Sequence, residues 1–285
     1  MIRLPALLAA SLALANPALA APALWEVRDA DSAIWLFGSF HLLPEDSPWR
    51  TELFDDTLAK ADSVVFEADI RPAAQIRLGA QALARGINTD GRLLTDLLDD
   101  EQEQQLRQTA QDYEMPIGTI LAMQPWFAAN MLTITAITSH GYSAEGVEAL
   151  LQPEILDDRL AFLETGEEQL EFIAGAPQDE QLAMLDATLD ELPTLPEIME
   201  KLMAGWLAGT PDEIAELFLA ETGGFSAAFL ERIIYERNRN WMPRLQAMLA
   251  ANEQELVVVG AAHLVGDGSV VDLLEQAGLS ITRIQ

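Results

Sequence analysis

The chain has 285 residues, of which 50% are hydrophobic, and it contains no cysteine, which excludes disulfides. This composition supports a sizeable core, and the length suffices for one large domain or two small ones. The chain carries 16 Lys plus Arg against 46 Asp plus Glu, and a formal net charge of −30 argues against nucleic acid and anionic membrane surfaces as partners.

The first twenty residues have the pattern of a secretory signal peptide. Arg3 supplies a short positive region, 4–15 is an apolar stretch, and the Ala-Leu-Ala sequence at 18–20 offers a cleavage site after Ala20. The apolar stretch is too short to span a bilayer, so no stable membrane insertion is expected. We therefore expect an exported protein, periplasmic or secreted, whose mature part 21–285 forms a single domain.

The segment after the signal predicts the start of a sheet. Residues 24–27 and 33–37 are predicted to be two strands of a hairpin, and the β-branched and aromatic run 63–68 a third strand. A helix that starts at Ser47-Pro48 and reaches about residue 61 lies between the second and third strands. The order strand, helix, strand indicates a crossover unit.

The middle of the chain, about 71–250, is mostly helical in pattern. The uncharged stretch 115–139 contains Pro125 in its centre, so we expect a buried helix broken near that proline rather than a membrane span. The predicted helices cover 73–85, 99–113, 119–138, 146–157, 167–174, 178–191, 197–208, 212–221 and 227–250.

The end of the chain returns to a strand, helix, strand pattern, with strands at 256–259 and 280–284 and a helix at 269–277. If these strands join those of the N-terminal part, the fold class is α/β (helix-rich α+β). It would have a central mixed sheet built from the N- and C-terminal strands, with a large helical insertion between them.

Two of the three histidines share one local frame: an apolar run, glycine, two residues, histidine, leucine. His41 follows Gly38 in this frame and His263 follows Gly260, and the glycines are interpreted as positions where the backbone turns sharply. Strands that share a sheet would place both imidazoles beyond one sheet edge, where open α/β folds bind ligands. The third histidine, His140, lacks the frame and is interpreted as a residue at a helix end.

Glu67 closes the third predicted strand and completes a candidate site with His41 and His263. Two imidazoles and one carboxylate are a suitable set for a divalent metal that activates water for hydrolysis. The same residues could work without metal, with a histidine that deprotonates water and a carboxylate that orients it. Each residue also has a structural interpretation, as a satisfied strand-end histidine or a solvent-facing strand carboxylate.

A second candidate is the segment 235–241, Tyr-Glu-Arg-Asn-Arg-Asn-Trp, on a predicted long helix. Arginine is scarce in this chain, and its arginines and asparagines on adjacent turns could bind an anionic or carbonyl group. The alternative is ordinary pairing of side chains four residues apart on a helix surface.

The order and spacing of these motifs resemble the TraB/GumN family, which includes the Tiki-type metalloproteases and is distantly similar to erythromycin esterases and ChaN-like haem-binding proteins. The resemblance covers essentially the whole mature chain. It rests on LWEV at 24–27, LFGSFHLL at 36–43, VFE at 65–67, LTDLL at 94–98, QPW at 124–126, GVE at 146–148, LETGEEQ at 163–169, ERN at 236–238 and VGAAHL at 259–264.

The resemblance implies a divalent-metal hydrolase with His41, Glu67 and His263 as metal ligands. It also implies catalytic roles for Arg237, which would stabilise an oxyanion, and for Asn238 beside it, with Glu164 as a supporting carboxylate. The family usually has aspartate at the position of Glu148 in this chain, so no site role is assigned to that residue.

Three functions follow from these residues and the resemblance. The first is an exported, peptidase-like hydrolase that acts on a peptide or small-molecule substrate with a divalent metal ion. A His/carboxylate set suits Mn, Co, Zn or Fe, and ligand softness does not choose among them. The alternatives are a metal-independent, esterase-like hydrolase with histidine as general base, and a non-catalytic periplasmic protein that binds metal or haem. Nothing in the sequence indicates the oligomeric state.

Overall fold

A computed structural model describes residues 20–30, 32–143, 145–221, 227–251 and 253–285. The predicted signal segment is 1–20, and all of it except Ala20 falls outside the described residues.

The strands of the described residues form a mixed six-stranded sheet and a small two-stranded ladder. The large sheet has the order β6-β4-β7-β2-β1-β8, and the ladder pairs β3 with β5. The strands are β1 (Leu24–Arg28), β2 (Ala33–Ser39), β3 (Leu43–Pro44), β4 (Ser63–Phe66), β5 (Tyr142–Ser143), β6 (Leu160–Phe162), β7 (Glu255–Gly260) and β8 (Ser280–Arg283).

Helices occupy most of the remaining chain. They are α1 (Glu52–Lys60), α2 (Pro72–Gly86), α3 (Asp100–Asp112), α4 (Ile117–Leu121), α5 (Pro125–Ser139), α6 (Val147–Leu151), α7 (Gly166–Ala174), α8 (Gln178–Glu191), α9 (Leu195–Ala208), α10 (Pro211–Glu221), α11 (Ala227–Leu230), α12 (Glu236–Ala251) and α13 (Val270–Gln276). A π-helical turn, Glu231–Tyr235, joins α11 to α12. The predicted helix-rich α/β class is confirmed; five of the six strands in the sheet come from the two ends of the chain, and β6 comes from the segment 71–250 that was predicted to be helical.

The centre of the sheet explains why residues distant in sequence meet. Strands β2, β7, β4 and β6 run parallel, while β1 is antiparallel to both β2 and β8. The predicted crossover is present, with β7 inserted between the parallel strands β2 and β4. Carboxyl ends of parallel strands open onto one edge of a sheet, so the residues after β2, β4 and β7 are neighbours there.

Apolar side chains cover both faces of this sheet. One cluster contains Phe37, Phe54 and Trp206, and the other contains Trp241 and Val257. Strands buried on both faces are continuous apolar runs, as β2 and β7 are in this chain. The helical middle therefore packs onto a rigid sheet whose edge positions the site.

Several predicted boundaries were wrong. Helix α1 begins at Glu52, after the cap residue Thr51, whose side chain accepts from the Phe54 amide. Ser47 does not cap it, because the Ser47 hydroxyl donates to the Pro44 carbonyl at 2.7 Å. The predicted helix at 146–157 ends at Leu151 and continues only as short 3₁₀ turns, and the predicted helix at 227–250 contains the π turn.

The uncharged stretch 115–139 forms two helices, α4 and α5, and the break falls before Pro125 as predicted. Helix α5 packs against α8, and its Leu132 and Ala136 are fully buried. Within the described ranges, no helix combines the length and apolar character needed to cross a membrane.

Candidate functional site

The candidate site lies at the carboxyl edge of β2, β4 and β7. Glu67 follows β4 directly, His41 follows β2 by two residues, and His263 ends the short 3₁₀ turn after β7. Ser39 and Gly260 are paired in the ladder between β2 and β7, so the loops that carry the two histidines start at the same level. The structure thus brings together the three residues that the sequence motifs single out.

Gly260 marks the point where the three side chains converge. A Cβ atom added to Gly260 would lie 3.3 Å from Glu67 Oε1, 3.4 Å from His41 Nε2 and 3.6 Å from His263 Cδ2. Its φ of −52° is open to any residue, so the expectation that the glycine permits a sharp turn was wrong. Its function is to leave space. Gly38 serves close packing instead, because a Cβ there would lie 3.1 Å from the Ala261 backbone.

Glu67 is a buried carboxylate that is fully engaged. Its Oε1 accepts from the Gly260 amide at 2.7 Å, and its Oε2 accepts from Arg237 and, at 3.2 Å, from Gln169. Burial by itself would raise the pKa of Glu67, but the Arg237 guanidinium and the hydrogen bond from the Gly260 amide lower it well below its ordinary value. Glu67 is therefore ionised, and it is not the solvent-facing strand residue of the structural interpretation.

Arg237, in the first turns of α12, is the cation at the centre of the site. Its guanidinium contacts two carboxylates, Glu67 and Glu164, with Nε 3.0 Å from Glu164 Oε1. Its Nη1 donates to the Ile233 carbonyl at 3.1 Å and lies 3.0 Å from His263 Nε2. A charge with so little exposure needs such partners, and the two carboxylates with the neutral acceptors satisfy it.

The side chains of the segment 235–241 face in two directions. Arg237 and Asn238 point into the site, whereas Arg239 pairs with Glu231 on the surface, where both side chains are about half exposed. Arg239 and Glu231 are eight residues apart, so this pair is not the four-residue spacing of the alternative interpretation, and binding of an anionic or carbonyl group by Arg237 and Asn238 stays a prediction.

His263 is held in one tautomer. Its Nδ1 lies 2.6 Å from Asn238 Oδ1, and the Asn238 amide nitrogen donates to the Gly268 carbonyl at 2.9 Å. The Asn238 oxygen must therefore accept, so Nδ1 carries the proton and Nε2 is left as an acceptor facing Arg237. Burial, with the neighbouring Arg237, lowers the pKa of His263 to about 3, so the ring is neutral.

His41 is the exposed member of the set, with a side chain that is 63% exposed. Its Nδ1 lies 3.0 Å from Glu148 Oε1, and the Glu148 carboxylate raises the pKa of His41 above its ordinary value. Glu148 is itself buried and accepts from the Ser39 hydroxyl. With Nδ1 engaged, His41 presents Nε2 to the space above Gly260.

The contact between Glu148 and His41 was not expected from the sequence, where Glu148 was assigned no site role. The reason lies in the packing of α6. The Val147 amide donates to the Phe40 carbonyl at 3.0 Å, and Gly146 lies so close to His41 that an added Cβ would be 2.3 Å from its backbone. The first turn of α6 therefore packs against the loop that carries His41, and this places Glu148 beside the His41 imidazole.

Two further residues of the site were missed. Gln169 on α7 contacts Glu67, and Trp241 on α12 stacks against His263 and donates from Nε1 to Glu164 at 3.0 Å. Gln169 lies in the LETGEEQ segment of the family resemblance and Trp241 ends the candidate segment 235–241, and these are the signals in the sequence that could have drawn attention to them.

Three side chains at the sheet edge carry donor atoms suited to a metal ion. The nitrogen and oxygen atoms of His41, Glu67 and His263 are chemically suitable for a divalent ion. In the described part of the chain, however, no three His, Asp or Glu side chains are grouped as they stand to hold a metal. Arg237 contacts Glu67 and faces His263 Nε2, so a metal bound by all three residues would require the guanidinium to withdraw from His263.

Comparisons with known proteins show which family the chain resembles. The chain matches the TraB/PrgY/gumN family over residues 23–283. It is 30% identical over 245 residues to uncharacterized protein YbaP of Escherichia coli strain K12, covering 84% of this chain and 86% of that protein, and the Shigella flexneri protein of the same name gives the same values.

A shorter match is 35% identical over 57 residues to the metalloprotease TIKI homolog of Amphimedon queenslandica, and it covers 19% of this chain and 11% of that protein. No solved structure gives a significant match. The match of the family over nearly all described strands and helices is the decisive one, and the chain belongs to the TraB/PrgY/gumN family.

Proposed function

We propose that this protein is a hydrolase whose reaction centre is the space above Gly260. The observation that carries the proposal is the convergence on that space of His41 Nε2 and Glu67 Oε1, with a buried arginine behind them. The protein matched over 57 residues is named a metalloprotease TIKI homolog, and this name supports the same reaction class. A nucleophile-activating imidazole beside a fixed cation is the arrangement that addition of water to a carbonyl requires.

The residues that would hold a divalent metal are His41, Glu67 and His263. Such an ion, Mn, Co, Zn or Fe, would supply Lewis acidity and lower the pKa of a bound water. Asn238 would keep the protonated nitrogen of His263 directed away from the ion, because it accepts from Nδ1.

A metal-independent route is favoured by one specific observation, the His41–Glu148 contact at 3.0 Å. When His41 is neutral, Nε2 accepts the proton of the attacking water and Glu148 stabilises the imidazolium that results. Arg237, which Glu164 and Trp241 hold in place, would act on the developing oxyanion through its nearby positive charge alone, because Glu67, Glu164, His263 and the Ile233 carbonyl already engage its N–H groups.

We also propose that the protein acts after export, on a peptide or small-molecule substrate. This rests on the sequence of residues 1–20 and on the strongly negative composition. A protein that binds metal or haem without turnover is the outcome that the experiment below must separate from hydrolysis.

The test compares three histidine variants of the whole mature chain. Peptide and ester hydrolysis is measured for wild type, His41→Ala, His263→Ala and His140→Ala, with and without chelator and added Mn, Co, Zn or Fe. His140 is the matched control, because it lies at the end of α5, where its Nδ1 contacts the α5 carbonyl of Ala136 and the neighbouring Ser139. Elemental analysis of each protein and a haem titration accompany the assay.

Loss of activity in His41→Ala, with His140→Ala unchanged, is the expected result. A bound ion that is lost in His263→Ala, together with sensitivity to chelator, assigns the metal-dependent route. Activity that survives chelation but not His41→Ala assigns the route through Glu148. Equal activity in the His41 and His140 variants, or haem binding without turnover, overturns the proposal.

A further inference from the structure

The cavity above the site has two chemically different halves. It encloses about 540 Å³, within the range of pockets that hold small organic ligands. Its floor is the carboxyl edge of the sheet with His41, Glu67 and His263. Its roof is mostly apolar and includes Phe172, Ile173, Met184, Leu202, Phe218 and Phe229, beside the polar residues Asn130, Thr133 and Thr188.

The roof comes from the helical middle of the chain, with residues of α7, α8, α9, α10 and α11 each facing the cavity. The π turn before α12 adds Ile233 and Ile234 to the same wall, and the Ile233 carbonyl accepts from Arg237. One segment thus forms the apolar wall and fixes the cation of the floor. Single π turns inside helices are frequent at functional sites.

The charges of the cavity select against ionic substrates. Among its described lining residues there is one arginine and no lysine, and that arginine, Arg237, is already held by Glu67 and Glu164. Because His41 also pairs with Glu148, an anionic group on the ligand would have to compete with a buried carboxylate for either residue. A cationic group on the part of the ligand in the roof would lose its hydration among apolar side chains.

We propose that the substrate is an uncharged ester or amide whose carbonyl is joined to a bulky apolar group, an acyl chain or an aromatic ring, that lies against the roof. This rests on the proposed hydrolytic function. Water adds its hydroxyl to the carbonyl carbon, the C–O or C–N bond breaks, and the leaving group takes the remaining proton. The apolar group supplies the binding energy, and the floor supplies the chemistry.

The test pairs neutral and charged probes of equal size. Hydrolysis is followed for p-nitrophenyl acetate, butyrate and octanoate, and for the mono-p-nitrophenyl ester of suberic acid, which has the octanoate length with a terminal carboxylate. Each buried methylene contributes about fourfold in binding, so we expect kcat/KM to rise at least tenfold from acetate to octanoate. The suberate ester should be at least tenfold poorer than octanoate.

A binding measurement accompanies the kinetics and does not depend on turnover. Fluorescence titration with N-phenyl-1-naphthylamine, which is uncharged, is compared with 8-anilino-1-naphthalenesulfonate, which adds a sulfonate to the same rings. The neutral probe should bind at least tenfold more tightly. Phe172→Ala and Met184→Asp should weaken its binding, while Ile76→Ala, at a side chain 74% exposed on α2, should leave it unchanged.

The outcomes separate the two proposals. Selective binding of the neutral probe without hydrolysis of any ester or amide would overturn the hydrolase and leave the ligand class standing. Hydrolysis that is indifferent to chain length and to the terminal carboxylate would overturn the substrate class and leave the hydrolase. Failure of both measurements would overturn both.

Discussion

The indole of Trp241 lies against the imidazole of His263, with ring centroids 4.5 Å apart. The same indole donates from Nε1 to Glu164 Oε2 at 3.0 Å, and the Arg237 guanidinium lies 5.0 Å from the Trp241 ring. One side chain thus touches a histidine, a carboxylate and the cation of the site, and it touches none of the space above Gly260. We interpret Trp241 as a positioning residue.

The Trp241→Phe change keeps an aromatic ring against His263 but removes the hydrogen bond to Glu164. Glu164 is buried and retains Arg237 as a partner, so we expect a stability loss of about 1–2 kcal/mol. The catalytic effect should appear as a fall in kcat with KM nearly unchanged. Urea unfolding and steady-state kinetics measure the two effects. An unchanged kcat in a destabilised variant would reduce Trp241 to a core residue.

The Glu148→Gln change removes the charge that faces His41 and leaves an amide of the same size. The pKa of His41 should return toward its ordinary value, because Glu148 is the largest cause of its increase. Because the pKa of His41 is raised to about 9, the neutral base predominates above that pH, and there we expect kcat/KM to fall at least tenfold since the imidazolium loses its counter-charge; the pH at which activity appears should shift downward in the variant. The control is Glu145→Gln, an exposed carboxylate three residues earlier. A Glu148→Gln enzyme as active as this control would contradict the metal-independent route.

The Arg237→Met change leaves Glu67 and Glu164 buried without their cation. Breaking a buried ion pair on one side costs about 3–5 kcal/mol, so we expect a large fall in the free energy of unfolding at neutral pH. Arg239→Met, two residues along, removes only the exposed pair with Glu231 and should change the stability little. Chemical denaturation of both variants makes the comparison. Equal stability would mean that Arg237 is not the structural centre of the site.

The Gly260→Ala change tests the space itself. Alanine is compatible with the φ of this residue, so the backbone need not move, but the new methyl group would stand within 3.4 Å of both Glu67 Oε1 and His41 Nε2. We expect activity to be lost with little loss of stability. Gly79→Ala on α2 is the control, because a Cβ there meets nothing within 4 Å and should stabilise the helix by up to about 1 kcal/mol. Retained activity in Gly260→Ala would locate the reaction elsewhere.

The sequence predicts those site residues whose position depends on the strand that directly precedes them. His41, Glu67 and His263 each follow a strand end, and parallel strands bring such ends to one edge. Glu148 and Trp241 depend instead on how α6 and α12 pack, and packing between distant segments leaves no local pattern. The glycine of the second histidine motif was recognised for the wrong reason, because its role is a clearance of 3.3–3.6 Å to other side chains rather than a turn.

A last prediction concerns Glu255, the first residue of β7. It pairs with Ser63 of β4 at the end of the strand opposite Gly260 and the site. Glu255 is 4% exposed, and its Oε2 has no hydrogen-bond partner among the described residues. Burial, with the nearby Glu253 and Asp62, raises the pKa of Glu255 from 4.5 to about 7. The folded chain therefore binds a proton here that the unfolded chain has already released between pH 4.5 and 7.

Stability linked to Glu255 is complete below pH 4.5 and is lost as the pH rises through about 7. The Glu255→Gln change supplies a permanently neutral side chain of the same shape, so it should stabilise the protein at pH 8 by about 1–3 kcal/mol and change it little at pH 4. Urea unfolding across this range measures the difference, with Glu275→Gln on the exposed side of α13 as control. A Glu255→Gln curve that stays parallel to wild type from pH 4 to 8 would show that the pKa of Glu255 is the same in the folded and unfolded chains, and it would contradict the raised pKa.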